Sequence, residues 1–315
     1  MRVTIPTRAP RARNRAGFTV VEITMVALLL AVVGGAVMSM LAKQQQFYGG
    51  TSDVMELRTQ LRQGSAIISG DLRGVSTIGG DISAMTDSSI DFRYTIGSGV
   101  ACAAPSATQI IIPPLEIASG AALTSWVSKP VAGDSLFIFD DGDTTSSGDE
   151  TWRKYGITAV DSVVGLCTFF TNATDNAKRS YRITVSTSGT TNIPTTVVRG
   201  AMLRFVRRAH YSLYHTSSSA PWYLGYCMGI CTSSNPIQPI AGPFNAYNAV
   251  AGSGTSGIRL TYFDSSGTAT ANTSLVSRVS IVLRGQTRGQ INVAGMGKGY
   301  YTDSLRTDVA VRNRY

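Results

Sequence analysis

Residues 15–42 read RAGFTVVEITMVALLLAVVGGAVMSMLA, an apolar run that carries one acid, Glu22, near its start. The 20 residues from Ile23 to Ala42 are uncharged. As a helix they would span about 30 Å, the thickness of the hydrocarbon layer of a bilayer. A charged side chain at the centre of a membrane helix costs about 2.5–3.5 kcal/mol, so such residues usually have a function. This stretch therefore predicts a membrane helix whose acid has a specific partner.

The segment before this run, residues 1–17, contains five arginines and no acid. Positive charge beside an apolar span holds that end in the cytoplasm, so residues after Lys43 are expected on the opposite side of the membrane. An ordinary secretory signal, cut after Ala36, is the alternative. Its apolar region would be shorter, about 7–15 residues, and would have no use for Glu22. We therefore favour the membrane helix.

The arginine-rich segment ends in Gly17, and Glu22 is the fifth residue after that glycine. This arrangement resembles the N-terminus of type IV prepilins, which type IV pilins share with type II secretion pseudopilins. The resemblance implies that a prepilin peptidase cuts after Gly17 and that the new first residue, Phe18, is N-methylated. It also implies that Glu22 pairs with the terminal amine of a neighbouring subunit. Such a charge pair would set the axial register within a bundle of apolar helices.

The residues after the apolar run predict that the helix continues outward. Between Val54 and Val75, apolar positions recur three and four residues apart, as on one face of an amphipathic helix. A separate short helix after a loop at 48–52 is the alternative. From residue 77 onward, short β-type runs alternate with turn residues. Ten strands are predicted, at 89–96, 109–112, 135–139, 155–160, 181–185, 201–214, 222–227, 258–263, 278–284 and 308–312.

Several segments of this β-rich part look like the body of W-type minor pilins, and they are similar also to the J-type minor pseudopilin of type II secretion. The segments are 133–136, 200–208, 211–214, 222–225, 262–267, 279–283 and 305–313. The resemblance implies a pilin-like α+β fold, in which one long N-terminal helix packs on a mainly antiparallel β domain. The predicted parts are a leader (1–17), a transmembrane half-helix (18–42), an amphipathic periplasmic half-helix (43–76) and a periplasmic β-rich domain (77–315).

The four cysteines are Cys102, Cys167, Cys227 and Cys231. An even number of cysteines in an exported chain indicates disulfides formed in an oxidising periplasm. Four cysteines allow three pairings. We favour Cys102 with Cys167 and Cys227 with Cys231, the second of which would close a short turn after a strand. A zinc site is the rival interpretation, but Cys227-x3-Cys231 has neither a CxxC mate nor a histidine cluster.

Charge lends little support to a nucleic-acid partner. The formal net charge of +9 falls to +4 without the five leader arginines, since 23 basic residues then face 19 acidic ones. The C-terminal arginines Arg306, Arg312 and Arg314 could grip nucleic acid beside nearby tyrosines. A solvated strand end is the plainer interpretation, so nucleic acid is kept only as an alternative partner.

An acidic loop follows the strand predicted at 135–139 and is a calcium candidate. Its acids are Asp140, Asp141, Asp143, Asp149 and Glu150. Carboxylate oxygens suit calcium. However, Gly142 stands at the third position of the loop, where the EF-hand pattern requires Asp or Asn. A solvated hairpin tip is therefore the plainer interpretation, and no other metal and no cofactor is expected.

These features predict a minor pilin or pseudopilin, not an enzyme. The sequence has neither a Gly-x-Ser-x-Gly elbow nor a His-Glu-x-x-His motif. After leader cleavage and N-methylation, the subunit would initiate or tip a type IV pilus-like filament. The expected partners are other minor and major pilins, the prepilin peptidase and the inner membrane. The chain would cross that membrane once, with its soluble domain in the periplasm, and would later join the pilus or pseudopilus. Alternatives are a type II secretion minor subunit, a tip adhesin or DNA-binding pilin, and a membrane-tethered periplasmic enzyme.

Overall fold

The computed structural model describes residues 17, 19–77, 79–118, 120–142, 148–167, 170, 172–186, 192–217, 221–250, 254–293 and 297–311. It begins with one long helix of 53 residues, α1 (Val20–Leu72). The helix continues through the Gly49-Gly50 pair, so the alternative of a loop at 48–52 is wrong. The strand pairs that follow are antiparallel. The predicted α+β layout, a long helix followed by a mainly antiparallel β domain, is confirmed.

The described part of the chain contains sixteen strands and one further short helix, α2 (Ala173–Ala177). The strands are β1 (Ile82–Met85), β2 (Ser89–Val100), β3 (Ala103–Ser106), β4 (Gln109–Ile112), β5 (Ser125–Trp126), β6 (Ser135–Asp140), β7 (Thr151–Val164), β8 (Arg179–Ser186), β9 (Met202–Tyr214), β10 (Trp222–Met228), β11 (Gln238–Phe244), β12 (Ile258–Phe263), β13 (Arg278–Gln286), β14 (Ile291–Val293), β15 (Gly297–Gly299) and β16 (Thr302–Ala310). Each of the ten predicted strands overlaps one of these elements.

Eleven strands form the larger sheet, whose main path has the order β1-β2-β9-β6-β7-β8-β4-β3. Two branches leave this path: β10 pairs with β9 and β11, and β5 pairs with β2. The smaller sheet has the order β12-β13-β16, and β14 and β15 form a separate hairpin. The smaller sheet and β11 are the main contacts of α1.

The C-terminal half of α1 packs on the β domain through one face. Leu57, Leu61, Ile68 and Leu72 are buried and recur at the spacings that the sequence predicted for an amphipathic helix. Gly64 lies on the same face, where an added Cβ would come within 3.3 Å of the Leu283 and Phe244 side chains. The absence of a side chain at Gly64 therefore allows close packing. The helix and the two sheets share this core, called here the helix-packed core.

A second core lies within the larger sheet and includes no residue of α1. Its strand members belong to β2, β4, β6, β7, β8 and β9. They are Ile96, Ile110, Ile112, Leu136, Ile138, Tyr155, Ile157, Ile183, Val185, Leu203 and Phe205. Because β2 and β9 pair along 11 register positions, from Ser89–Ser212 to Val100–Met202, they contribute residues to both cores.

Candidate functional site

The N-terminal half of α1 is exposed along its whole length. Residues 19–49 are all exposed, and they include large apolar side chains such as Leu28, which is 65% exposed. This helix is long and apolar enough to cross a membrane, and the apolar part that meets this criterion has no buried residue. The result is compatible with the predicted single-pass anchor. An apolar surface of this extent normally marks contact with lipid or with another protein.

Glu22 lies in the first turn of this exposed half and takes part in a capping box. The Thr19 hydroxyl accepts a hydrogen bond from the Glu22 backbone N–H at 3.2 Å, and the Glu22 carboxylate accepts one from the Thr19 backbone N–H at 3.4 Å. Each side chain thus satisfies a backbone donor of the other residue. The negative charge also lies favourably at the positive end of the helix dipole.

The capping box is a role for Glu22 that the sequence analysis missed. Its signal is present as Thr19-x-x-Glu22, the standard Ser/Thr-x-x-Glu pattern. A carboxylate offers about four acceptor sites, so the capping contact leaves capacity for a second partner. Gly17 is exposed just ahead of this turn, and Phe18 lies outside the described residues.

Two other polar groups in the apolar half are bonded within the helix. The Thr24 hydroxyl donates to the Val21 carbonyl oxygen at 2.9 Å, and the Ser39 hydroxyl donates to the Ala36 carbonyl oxygen at 2.8 Å. A hydroxyl that bonds its own backbone can enter an apolar medium at lower cost. Between residues 20 and 42, Glu22 is therefore the one charged side chain, and its described contact is the capping box with Thr19.

An aromatic pair follows the apolar half. Phe47 and Tyr48 are 70% and 71% exposed, with ring centroids 6.1 Å apart, and Lys43 precedes them by one turn. Aromatic and basic side chains are enriched where a membrane helix leaves the hydrocarbon layer. Their position agrees with the predicted end of the span at residue 42.

The β domain first meets the helix just beyond these rings. Gly50 faces Ile291 of β14, and an added Cβ would lie 3.1 Å from the Ile291 side chain. One to two turns later, Glu56 binds Arg288 at 2.6 Å, and Arg58 binds Asp303 at 2.9 Å. We call the contacts from Gly50 to Arg58 the helix junction. It separates the exposed half of α1 from the docked half.

Burial and pairing have opposite effects on the Asp303 carboxyl at the helix junction. Burial raises its pKa, but hydrogen bonds from the Arg58 guanidinium and the Ser304 backbone N–H lower it by more. The Arg58 charge acts in the same direction. The net result is a pKa below the ordinary value, so Asp303 remains ionised and holds Arg58 at the junction.

The four cysteines come together in the two favoured pairs. The Cα atoms of Cys102 and Cys167 are 5.7 Å apart, and those of Cys227 and Cys231 are 5.9 Å apart. Both separations suit disulfides. The first pair joins the end of β2 to the segment after β7, 65 residues later, and the second closes a short turn after β10.

Asp140 of the acidic loop has its own partners within the fold. Its carboxylate accepts hydrogen bonds from Arg153 at 2.5 Å and Thr196 at 2.6 Å. Burial raises the pKa of Asp140, but these two hydrogen bonds and one from the Gly142 N–H outweigh that effect and hold the pKa below its ordinary value. Asp140 thus fixes the end of β6 to β7.

The other acids of the calcium candidate lie farther along the loop. Asp141, Asp149 and Glu150 are exposed, and Asp143 lies outside the described residues. The Glu150 carboxylate accepts a hydrogen bond from the Gly148 N–H at 2.9 Å. Among the residues that the structure describes, no group of three or more His, Cys, Asp or Glu side chains is placed to hold a metal. Calcium binding through this loop stays a prediction.

The buried titratable groups of β9 are paired with residues of other elements. Arg207 donates two parallel hydrogen bonds to Asp134, at 2.7 and 2.8 Å, and these bonds raise the pKa of Arg207. Tyr211 donates to Asp71 of α1 at 2.7 Å; burial, followed by this bond, raises the pKa of Tyr211. These contacts join β9 to the loop before β6 and to the helix, so a structural role accounts for the burial of these groups.

At the C-terminus, Arg306 is exposed and binds Asp308 at 3.5 Å. Arg312 and Arg314 lie outside the described residues. The nucleic-acid alternative therefore stays untested.

In comparisons with known proteins, no family model, no curated protein and no solved structure matches the chain.

Proposed function

We propose that this chain is a minor subunit of a type IV pilus-like filament. One observation carries the proposal: a single 53-residue helix is divided into an exposed apolar half and a half docked on a β domain, with an acid in its first turn. At about 1.5 Å per residue the helix is about 80 Å long. A membrane anchor alone explains the exposed apolar half, and the capping box gives Glu22 a local role, but neither supplies the carboxylate with an oppositely charged group.

Pairing between subunits would explain Glu22. Cleavage after Gly17 would free an amine at Phe18, and a neighbouring subunit would present that amine to the Glu22 carboxylate. In a bundle of apolar helices, an unpaired charge is costly and a matched pair is tolerated. Only one axial offset brings the two groups together, so the pair would select the register of the growing filament.

The arrangement of the chain favours a minor subunit over a major one. The β-rich part after residue 77 comprises about three quarters of the 315 residues and contains two cores. A domain of this bulk would crowd a filament built of closely spaced identical helices. At the end of a filament, or in a short initiating complex, there is space for it. The leader arginines would keep residues 1–17 in the cytoplasm, which places the β domain and both cysteine pairs in the periplasm.

The direct test is mass spectrometry of the mature chain purified from membranes of the native host. We expect a first residue of N-methylated Phe18. A mature chain that begins elsewhere, for example after Ala36, would overturn the proposal. A strain without prepilin peptidase is the matched control, and there the chain should retain residues 1–17.

Co-purification of the processed chain would then identify its filament. Recovery of major and minor pilins would support a pilus subunit, whereas recovery of secretion pseudopilins would support the type II secretion alternative. Recovery of neither, from membranes in which both systems are expressed, would contradict assembly into a filament.

A further inference from the structure

The outer face of the smaller sheet carries a cluster of arginines. The register places Arg259 of β12 and Arg306 of β16 on either side of Val282 of β13. Arg284 lies two residues beyond Val282 and therefore faces the same side. The opposite face of this sheet packs on α1, so the arginines project away from the helix.

Two of these arginines, Arg259 and Arg284, line a cavity of about 90 Å³. Both are half-buried. Asn248 and Ser256 contribute polar groups to the wall, and Asp87 is the acid among the lining residues. We call this site the arginine cavity.

The positive charges of the arginine cavity are poorly balanced. Within the described part of the chain, the Arg259 guanidinium has no hydrogen bond and no ion pair, and the Arg284 side chain donates one bond, to the Ser256 carbonyl oxygen at 3.3 Å. The Asp87 carboxylate accepts instead from the Tyr247 hydroxyl, at 3.2 and 3.3 Å. Burial, followed by repulsion from Arg259, lowers the pKa of Arg284.

The other arginines of the same face have partners. Arg278 stacks on the Phe263 ring, with its guanidinium carbon 4.4 Å from the ring centroid. Arg306 binds Asp308. A hydrogen bond from Ser280, together with the charges of Arg306 and Arg278, holds the pKa of Asp308 below its ordinary value. Arg259 and Arg284 differ from these two arginines because, among the described residues, neither makes an ion pair with an acid or a ring contact.

We propose that the arginine cavity binds a phosphoryl group carrying about two negative charges. Two neighbouring guanidinium groups in a half-buried site repel each other, and neither forms an ion pair with Asp87 in the lining, so a dianion could pair with both. A guanidinium also presents its N–H donors in a fork that matches phosphoryl oxygens. A carboxylate would neutralise only one of the two charges. This inference does not depend on the proposed role in a filament.

Inorganic phosphate is the probe for this site. The full-length chain in detergent is melted at pH 7.5 in increasing phosphate, with chloride added to keep the ionic strength constant. Above the Kd the melting temperature should rise with the logarithm of the phosphate concentration, reaching about 5 °C at a concentration one hundred times the Kd. Acetate at the same ionic strength should produce less than half of that rise. No rise with phosphate, or an equal rise with acetate, would overturn the proposal.

Substitutions on the same face locate the site. Arg259→Gln should abolish the phosphate response and, without phosphate, should melt at or above the wild-type temperature because a repulsive charge has gone. Arg284→Gln should abolish the response as well. Arg278→Gln is the matched control and should keep it. If Arg259→Gln responds like the wild type, or if Arg278→Gln loses the response, phosphate does not bind in the arginine cavity.

Discussion

The two halves of α1 have the same backbone and opposite surroundings. From residue 19 to residue 49 every side chain is exposed, whereas from Leu57 to Leu72 one face is buried against the β domain. From Ile23 to Ala42 the first half is apolar on all sides, whereas the second half is apolar on one face and charged on the other. A helix that is apolar all round needs apolar surroundings on every side, which a single β domain does not provide. The side-chain pattern, not the backbone, therefore decides what each half can contact.

The largest expected effect belongs to the charge in the exposed half. Glu22→Gln should reduce incorporation into filaments by more than about 100-fold, because a buried amine left without its partner costs about 3–5 kcal/mol. Glutamine preserves the capping box, so helix formation is retained. Incorporation is measured as the ratio of subunit in sheared filaments to subunit in membranes.

Thr19→Ala provides the matched control for Glu22→Gln. It removes the cap, which typically contributes about 1 kcal/mol to helix stability, and keeps the charge. Incorporation should fall far less than with Glu22→Gln. If Glu22→Gln assembles as the wild type does, Glu22 has no partner in the filament, and the exposed half is an anchor only.

Replacing one leucine by alanine in each half of α1 should show that only the docked half stabilises the β domain. Leu61 is 2% exposed and Leu29 is 60% exposed. Leu61→Ala should lower the free energy of unfolding of the β domain by about 2–5 kcal/mol, because it leaves a cavity in the helix-packed core. Leu29→Ala should change it by less than about 0.5 kcal/mol. Denaturant unfolding in detergent, followed by tryptophan fluorescence, measures both values. Equal effects would mean that the two halves are not energetically separate.

A smaller effect is expected at the helix junction, and it depends on pH. The pKa of Asp303 is lower in the folded chain than its ordinary value, so the unfolded chain binds the proton more tightly. The stabilisation by Asp303 is therefore complete above about pH 4 and is lost as pH falls through the folded-state pKa. Arg58→Ala should reduce the drop in melting temperature between pH 5 and pH 2.5 by about 1–3 °C.

Arg62→Ala is the control for Arg58→Ala in this measurement of melting temperature against pH. Arg62 is exposed on the same helix, one turn later. Its removal should leave the acid-induced drop in melting temperature unchanged. A drop that is identical in the wild type and in Arg58→Ala would show that Asp303 does not couple the junction to pH.

The helix and the regular strands were predictable because each depends on a local pattern. Leu57, Leu61, Ile68 and Leu72 carry the helical period, and β12 alternates buried and half-buried residues as its sequence predicted. The capping box at Thr19-x-x-Glu22 is also a local pattern, four residues long, and the sequence alone is enough to recognise it. The sequence analysis overlooked it because the apolar run after Glu22 indicated a membrane helix, and Glu22 was considered only as a charge within that helix.

The strands that the sequence analysis missed or shortened lack a clear apolar pattern. β11 contains Pro239 and Pro243, and proline argues against a strand. It forms nonetheless, as an outer strand paired with β10. β16 begins at Thr302, six residues before the predicted start, because the polar residues Asp303 and Thr307 occupy half-buried positions and obscure its alternation.

Contacts between distant residues had no signal in the sequence. Arg207 and Asp134 are 73 positions apart, and Tyr211 and Asp71 are 140 apart. The arginine cavity likewise depends on the register between β12 and β13, which residue spacing alone does not reveal. The helix, most of the strands and the N-terminal acid were therefore predictable from the sequence, but the polar contacts that connect these elements were not.

The uninterrupted backbone at Gly49-Gly50 also has a mechanical consequence. Two adjacent glycines would allow a swivel, yet helical hydrogen bonds continue across them and Ile291 lies against Gly50. A force applied along the axis at the first turn of α1 would therefore be transmitted to the β domain through one continuous helix, with no hinge at Gly49-Gly50 to absorb it. If the exposed half of α1 moved along the helix axis by a given distance, the β domain would move by the same distance.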